Sequence, residues 1–217
     1  MRTRLPTRLL LTRHGETDWN VARRIQGWSD IPLNENGREQ ARRLAERLKG
    51  TELAAIYTSD LARAMETAAI VRDGRPVALR VTEALRELSY GQWEGWTRDD
   101  LEAAGCLEWV QRWNAGDAVS PPPGGEPLPS AWERADRFLS CVALRHPGET
   151  VLVVTHGGLL RLLVCLLQGL DYRAWGAVRT ANTGLTEALV APGEPALIVR
   201  VNDTSHLETL PEAAARP

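Results

Sequence analysis

The chain has 217 residues, 43% hydrophobic and 25% charged, with 26 Lys and Arg against 28 Asp and Glu. That length can bury one full core. The formal net charge of -2 gives no support to nucleic-acid or anionic-membrane binding, so any anion site must be a local cluster.

The start, "MRTRLPTRLLLTRHG", is basic, but its apolar run is shorter than a signal-peptide core. Nothing later approaches the roughly 20 apolar residues of a membrane span. "RLLLT" (Arg8 to Thr12) reads as a short buried strand, stopped by the polar "RHGETDWN". "NENGREQARRLAERLKG" opens on a cap-like Asn34, ends at Gly50, and sets Ala41, Leu44, Ala45 and Leu48 on one helical face. "LAAIYTS" is a second strand. "DLARAMETAAIVRDG" is a helix with Asp60 as the expected cap and Gly74 as its stop. "PVALRVT" is a third strand. From about Gly91 the pattern breaks into tryptophans, short amphipathic pieces and the loop "SPPPGGEPLP". A helix, "SAWERADRFLSCVALRH", follows. "TVLVVT" is then the clearest buried strand and "GGLLRLLVCLLQ" the clearest buried helix. "LTEALVA" and "ALIVRVN" are two final strands, and "LPEAAARP" reads as a frayed tail.

Alternating strands and helices predict an α/β fold: a three-layer α/β/α sandwich with a mostly parallel central sheet. One domain is expected over 1–217, with a helical insertion at about 91–128 lying as a lid over the carboxyl ends of the strands. Cys106, Cys141 and Cys165 are far apart and form no CxxC pair. They are expected as small buried hydrophobes, not as a disulfide or zinc set, which fits a reducing cytoplasm.

Ligands of open α/β sheets sit beyond the carboxyl ends of the strands. Two strands here end in histidine followed by glycine: "TRHGE" with Arg13, His14 and Gly15, and "THGG" with His156, Gly157 and Gly158. Only four histidines exist in the chain; His146 and His206 lie in polar, loop-like contexts and read as surface residues. A histidine at a strand end is by itself as consistent with a hydrogen-bonded core residue as with a site. The repetition, the glycines that allow close backbone approach, and the adjacent arginine favour a site. "THGGLL" leads into a helix whose N-terminus can offer N–H groups to an anion. Arginine beside histidine suits an anion better than a metal, because guanidinium grips phosphate oxygens through a planar fork. Arg63, in "YTSDLARAMETA", follows another strand end and either joins that pocket or remains an ordinary helix arginine.

The chain resembles the histidine phosphatase family, the phosphoglycerate-mutase-like superfamily. The resemblance rests on "LTRHGETDWN", "QGWSDIPLNENGREQA", "YTSDLARAMETA", "LRELSYGQWEG" and "VTHGG", in the family's order over Leu11 to Gly158. It implies that His14 is a nucleophile that becomes transiently phosphorylated, and that Arg13, Arg63 and His156 hold the phosphoryl oxygens. It further implies that Asn20 contacts the phosphate, that Gln26 and Gly27 border it, that Gly157 supplies a backbone N–H, and that Glu87 is the proton donor. Physical chemistry agrees with those roles. A phosphate monoester carries about -1.5 to -2 charges near neutral pH, so two arginines and a protonated His156 would neutralise its oxygens. His14 must be neutral to attack, as imidazole allows near pH 7. The leaving alkoxide needs a proton, which Glu87 can give if burial keeps it protonated. Glu94 is a second choice for that acid, Glu83 a third carboxylate, and Glu16 suits loop structure. No metal and no cofactor is implied.

The resembling family contains hydrolases and mutases. Mutases usually carry an "ERHYG"-like segment; here it reads "ELSYG", with Leu88 and Ser89 in the substrate-gripping places. The stretch before the second histidine is short, and the phosphatase branch's "GGES" appears as "GGEP", which puts a contact from that loop in doubt. The expected function is therefore hydrolysis of a small phosphomonoester through a phosphohistidine. A cofactor-dependent phosphoglycerate mutase is the alternative and a non-catalytic phosphate-binding module a minor one. A homodimer is left open. Trp93, Trp96, Trp109, Trp113 and Trp132 fall in the insertion and the helix after it. They either form the insertion's own small core or wall the pocket against a bulky leaving group.

Overall fold

The computed structural model describes residues 5–115 and 121–208. The expected tail, residues 210–217, and part of the insertion, 116–120, lie outside them. The strands are β1 (Thr7–Arg13), β2 (Ala55–Thr58), β3 (Ala78–Val81), β4 (Thr150–Thr155), β5 (Leu185–Val190) and β6 (Leu197–Asp203). The helices are α1 (Asp18–Val21), α2 (Glu35–Arg47), α3 (Ala62–Arg72), α4 (Arg98–Ala103), α5 (Leu107–Asn114), α6 (Leu128–Arg145) and α7 (Gly157–Leu167).

The sheet order is β3-β2-β4-β1-β5-β6. The first four strands are mutually parallel, and β5 runs antiparallel to β1 and to β6. Both faces of the central strands are buried, as continuous apolar runs require. Leu9, Leu11, Val151 and Val153 face the layer of α6 and α7, while Leu10, Leu152, Val154 and Ile56 face α2 and α3. This period-2 division produces the three-layer α/β/α sandwich. Burial of each such Leu, Ile or Val contributes about 1.5–3 kcal/mol, and a one-residue slip of β1 against β4 would exchange the two sets.

Local chemistry sets the helix starts. The Asn34 side chain accepts from the Gly37 N–H and caps α2, whose Ala41 and Leu44 are buried against the sheet, as is Leu48 just beyond its end. The expected Asp60 cap is not formed. α3 begins at Ala62 with Leu61 before it, and its first N–H, that of Ala62, donates to Asp30 Oδ1 at 2.6 Å. Asp60 is instead held by Arg86 Nε at 2.8 Å, a charge-assisted partner stronger than a backbone amide.

Two further expectations are corrected. His146 is 7% exposed. Its Nε2 meets the Tyr57 hydroxyl at 3.0 Å and its Nδ1 meets Glu149 at 2.7 Å, so the polar sequence around it marks hydrogen-bond partners rather than solvent. Cys165 is buried in α7, but Cys141 is exposed on the outward side of α6 and Cys106, in the turn between α4 and α5, is half-buried. Among the described residues, no helix is long and apolar enough to cross a membrane.

Candidate active site

The order β2-β4-β1 puts three parallel strand ends side by side. Register pairs Arg13 with Thr155 and Thr58 with Val154. The His14 N–H continues the ladder by donating to the Thr155 carbonyl at 2.9 Å. His14 leaving β1 and His156 leaving β4 are therefore neighbours, with ring centroids 5.2 Å apart and planes tilted by 57°. Arg63 enters from the first turn of α3 after β2 and is fully buried.

His14 is 2% exposed. Its Nδ1 lies 2.6 Å from the Gly15 carbonyl. A carbonyl can only accept, so Nδ1 carries the proton and Nε2 carries the lone pair. Arg63 Nε donates to that Nε2 at 3.3 Å, while its two terminal nitrogens donate to the carbonyls of Ser29 (2.8 Å) and Gly27 (2.7 Å). Burial first, then Arg13 and Arg63, hold the His14 imidazole well below its ordinary value. The ring is thus neutral near pH 7. Burial likewise lowers Arg63 to about 10, which leaves it a cation.

His156 is fully buried, and neither ring nitrogen has a partner among the described residues. Burial first, then the neighbouring Arg63, His14 and Arg13, push its imidazole well below the ordinary range. The protonated His156 expected from the sequence belongs to the phosphate-bound site. The protein's own groups favour the neutral ring, and only the opposite field of a bound dianion would reverse that. Arg13 donates from one terminal nitrogen to the Thr180 carbonyl at 3.1 Å. Its buried Nε has no partner among the described residues.

The N-terminus of α7 is not left open as expected. Glu87, 8% exposed, accepts from the N–H groups of Gly158 (2.9 Å) and Leu159 (3.0 Å), besides that of Leu88 (2.9 Å). A carboxylate at a helix N-terminus satisfies donors and the dipole together. Of the first three amides of α7, that of Gly157 has no partner among the hydrogen bonds of the described residues. Gly158 must be glycine for this: a Cβ there would stand 2.6 Å from Glu87 Oε1.

The remaining candidates fall on the same rim. Asn20 lines the cavity, but its Oδ1 closes the cap of α1 by accepting from the Thr17 N–H and hydroxyl, each at 3.1 Å. Gln26 and Gly27 also line it, and Gln26 Oε1 is buried without a partner among the described residues. Gly27, at φ 53°, packs against the carboxylate of Glu94. Glu94 accepts from the N–H groups of Trp28 and Ser29 and from the Ser29 hydroxyl, which makes it a brace for this loop. Glu16 similarly holds Asn34 and Asn36, and Glu83 lies at the surface beside Arg86.

Several residues were not anticipated. Asn182 Nδ2 donates to the His14 carbonyl at 2.9 Å, and Arg134 and Trp28 both donate to the Glu87 carbonyl. Arg161 and Tyr90 line the cavity. Only Arg161, one helical turn beyond Gly157, had a visible signal: a lone charge in an apolar helix. Asn182, Arg134 and Trp28 act through backbone carbonyls, which no side-chain pattern announces.

These groups surround a cavity of about 470 Å3. Its outer wall comes from the insertion, with Leu101 of α4 and Leu107, Trp109, Val110 and Trp113 of α5. Trp93, Trp109 and Trp113 pack as a run of rings with centroids 4.6 and 5.0 Å apart, and all three line the cavity. Trp132 is elsewhere, against Tyr172. Among the described residues no three His, Cys, Asp or Glu side chains are grouped to hold a metal ion.

The family model for the histidine phosphatase superfamily (branch 1) matches residues 9–204. The chain belongs to the histidine phosphatase superfamily. It is 34% identical to phosphoglycerate mutase-like protein 4 of Arabidopsis thaliana, over 92% of this chain and 86% of that protein. It is 30% identical to phosphoserine phosphatase 1 of Hydrogenobacter thermophilus, over 92% and 94%. Among solved structures, Bacillus stearothermophilus YhfR superposes with a TM-score of 0.86 at 40% identity, covering 93% of this chain and all of that one. Relatives of this chain include proteins named as phosphatases and as phosphoglycerate mutases.

Proposed function

We propose that the protein is a phosphomonoester hydrolase acting through a phosphohistidine on a small phosphorylated metabolite, without a metal. The observation that carries this reading is the fixed tautomer of His14. Its Nδ1–H is held by Gly15, so the Nε2 lone pair points among Arg13, Arg63 and His156. In the first step Nε2 attacks phosphorus and the ester P–O bond breaks. Arg13, Arg63 and the Gly157 N–H hold the equatorial oxygens, and the dianion draws His156 toward its cationic form. Glu87, once protonated, gives a proton to the departing alkoxide. In the second step Glu87 takes a proton from water, the water oxygen bonds to phosphorus, and the P–N bond breaks to return neutral His14. The partner is a small molecule in the cytoplasm; a homodimer is compatible with the reading.

The mutase reading keeps support from the Arabidopsis relative. Against it, Leu88 is fully buried in the core where the mutase-like segment would present a substrate-gripping arginine. Turnover of p-nitrophenyl phosphate with and without EDTA, beside a His14→Ala control, tests hydrolysis. Wild-type turnover no faster than the control overturns it and favours a phosphate-binding module. With 3-phosphoglycerate, release of inorganic phosphate supports the phosphatase, and transfer to the 2-position supports the mutase.

A further inference from the structure

The cavity holds more positive charge than one phosphoryl group requires. Besides Arg13 and Arg63, its lining includes Arg161, with Arg23, Arg24 and Arg98, and Glu87 is its one carboxylate among the described residues. The chain as a whole is slightly acidic, so this is local.

Arg161 is the informative member. It lies four residues after Gly157 on α7, hence on the same face and about one turn, roughly 5–6 Å, deeper along the helix. Its guanidinium stands 5.7 Å over the Trp175 ring. Its Nε is buried and has no hydrogen-bond partner among the described residues. Trp113 stands edge-on to Trp175, lines the same cavity, and its Nε1 is buried and equally unpartnered. A buried donor without an acceptor costs about 1–3 kcal/mol, and the two residues that carry these donors line one cavity. Neither is used in the phosphoryl steps.

We propose that Arg161 and Trp113 Nε1 form a leaving-group subsite that binds an anionic group carried by the substrate besides its scissile phosphate. The Trp109 and Val110 wall packs the carbon skeleton between the two anions. Guanidinium accepts a carboxylate or a second phosphate in the same fork geometry, so the chemistry named is the second anion. The inference rests on the phosphomonoester reading.

The test compares kcat/KM for matched pairs: 3-phosphoglycerate against glycerol 3-phosphate, and fructose 1,6-bisphosphate against fructose 6-phosphate. The wild type is expected to favour the more anionic member of at least one pair by tenfold or more. The pair that responds separates carboxylate from phosphate. Arg161→Gln should reduce that ratio to threefold or less, whereas Arg161→Lys, which keeps the charge, should retain more than threefold. No preference in the wild type, an unchanged ratio in Arg161→Gln, or loss of the ratio in Arg161→Lys each overturns the subsite. Should Arg161→Gln not fold, the wild type and Arg161→Lys still decide. Failure of the underlying reading looks different: no substrate, p-nitrophenyl phosphate included, would then be turned over above His14→Ala, and both proposals would fall.

Discussion

The Nε–H of Arg63 donates to Nε2 of His14 across 3.3 Å, joining the first turn of α3 to the end of β1. The same guanidinium is pinned by the carbonyls of Gly27 and Ser29, so it serves as both a charge and a jig for the ring. A lysine would keep the charge and lose the fork. Arg63→Lys is therefore expected to lower kcat by about 100-fold, the scale of removing one preorganised donor, with a smaller change in KM. Steady-state kinetics on p-nitrophenyl phosphate checks this; a change confined to KM would mean that Arg63 only binds.

Glu87 is held through two backbone amides of α7 and through its own carbonyl by Arg134 and Trp28. Glu87→Gln preserves the shape but cannot deliver the proton. Its effect should grow as the leaving group worsens. A fall of about 10² to 10³ is expected for an alkyl phosphate such as glycerol 3-phosphate, and a clearly smaller one for p-nitrophenyl phosphate, whose phenolate leaves unaided. Equal losses on both substrates would assign Glu87 to structure rather than to proton transfer.

His14, Arg13 and His156 were legible because they end hydrophobic runs, and an arginine–histidine pair closing a buried strand has few structural explanations. The sheet was legible for the same reason: the Leu9–Leu11 and Val151–Val154 runs could be nothing but strands buried on both faces. What the sequence could not show was the use of backbone groups. The grip of Glu87 on Gly158, of Asn182 on His14 and of Glu94 on Ser29 each joins a side chain to an amide or carbonyl far away in the chain. His146 misled for a related reason, since polar neighbours such as Glu149 can be partners as readily as surface.

The two site histidines make the protein acid-sensitive. Burial and the neighbouring arginines depress both imidazoles in the native state, while the unfolded chain titrates near 6.5. Above that value both states are neutral and stability is unaffected. As pH falls below it, the unfolded chain takes up protons first, so stability declines until the native groups also titrate. Urea midpoints are expected to drop between pH 7 and pH 5. The drop should be shallower in His14→Asn, which removes one of the two groups. The same depression keeps Nε2 available, so the acid limb of kcat/KM belonging to His14 should lie below 6.5.

Close approach at Gly158 gives a steric test of the site that leaves its chemistry unaltered. An added Cβ would meet Glu87 Oε1 at 2.6 Å and Leu88 Cδ1 at 3.0 Å. Gly158→Ala should displace the Glu87 carboxylate and cost about 1–3 kcal/mol of stability. Its kinetic signature should copy that of Glu87→Gln, with alkyl phosphates losing more than p-nitrophenyl phosphate. A variant with wild-type discrimination between the two would show that Glu87 need not sit on α7.

On the α6 face of the sheet, buried Tyr57 and His146 and the exposed Glu149 form a chain of hydrogen bonds at 3.0 and 2.7 Å, and none of the three lines the catalytic cavity. Tyr57→Phe keeps the ring, which packs edge-on against Phe138 at 5.6 Å, and removes only the hydroxyl. The partner nitrogen of His146 is then buried without a bond, at a cost of about 1–3 kcal/mol. The loss should appear as a lower urea midpoint with an unchanged denaturant slope, and kcat should stay within about twofold of wild type. A large fall in kcat at full stability would instead tie this chain of hydrogen bonds to the catalytic cavity.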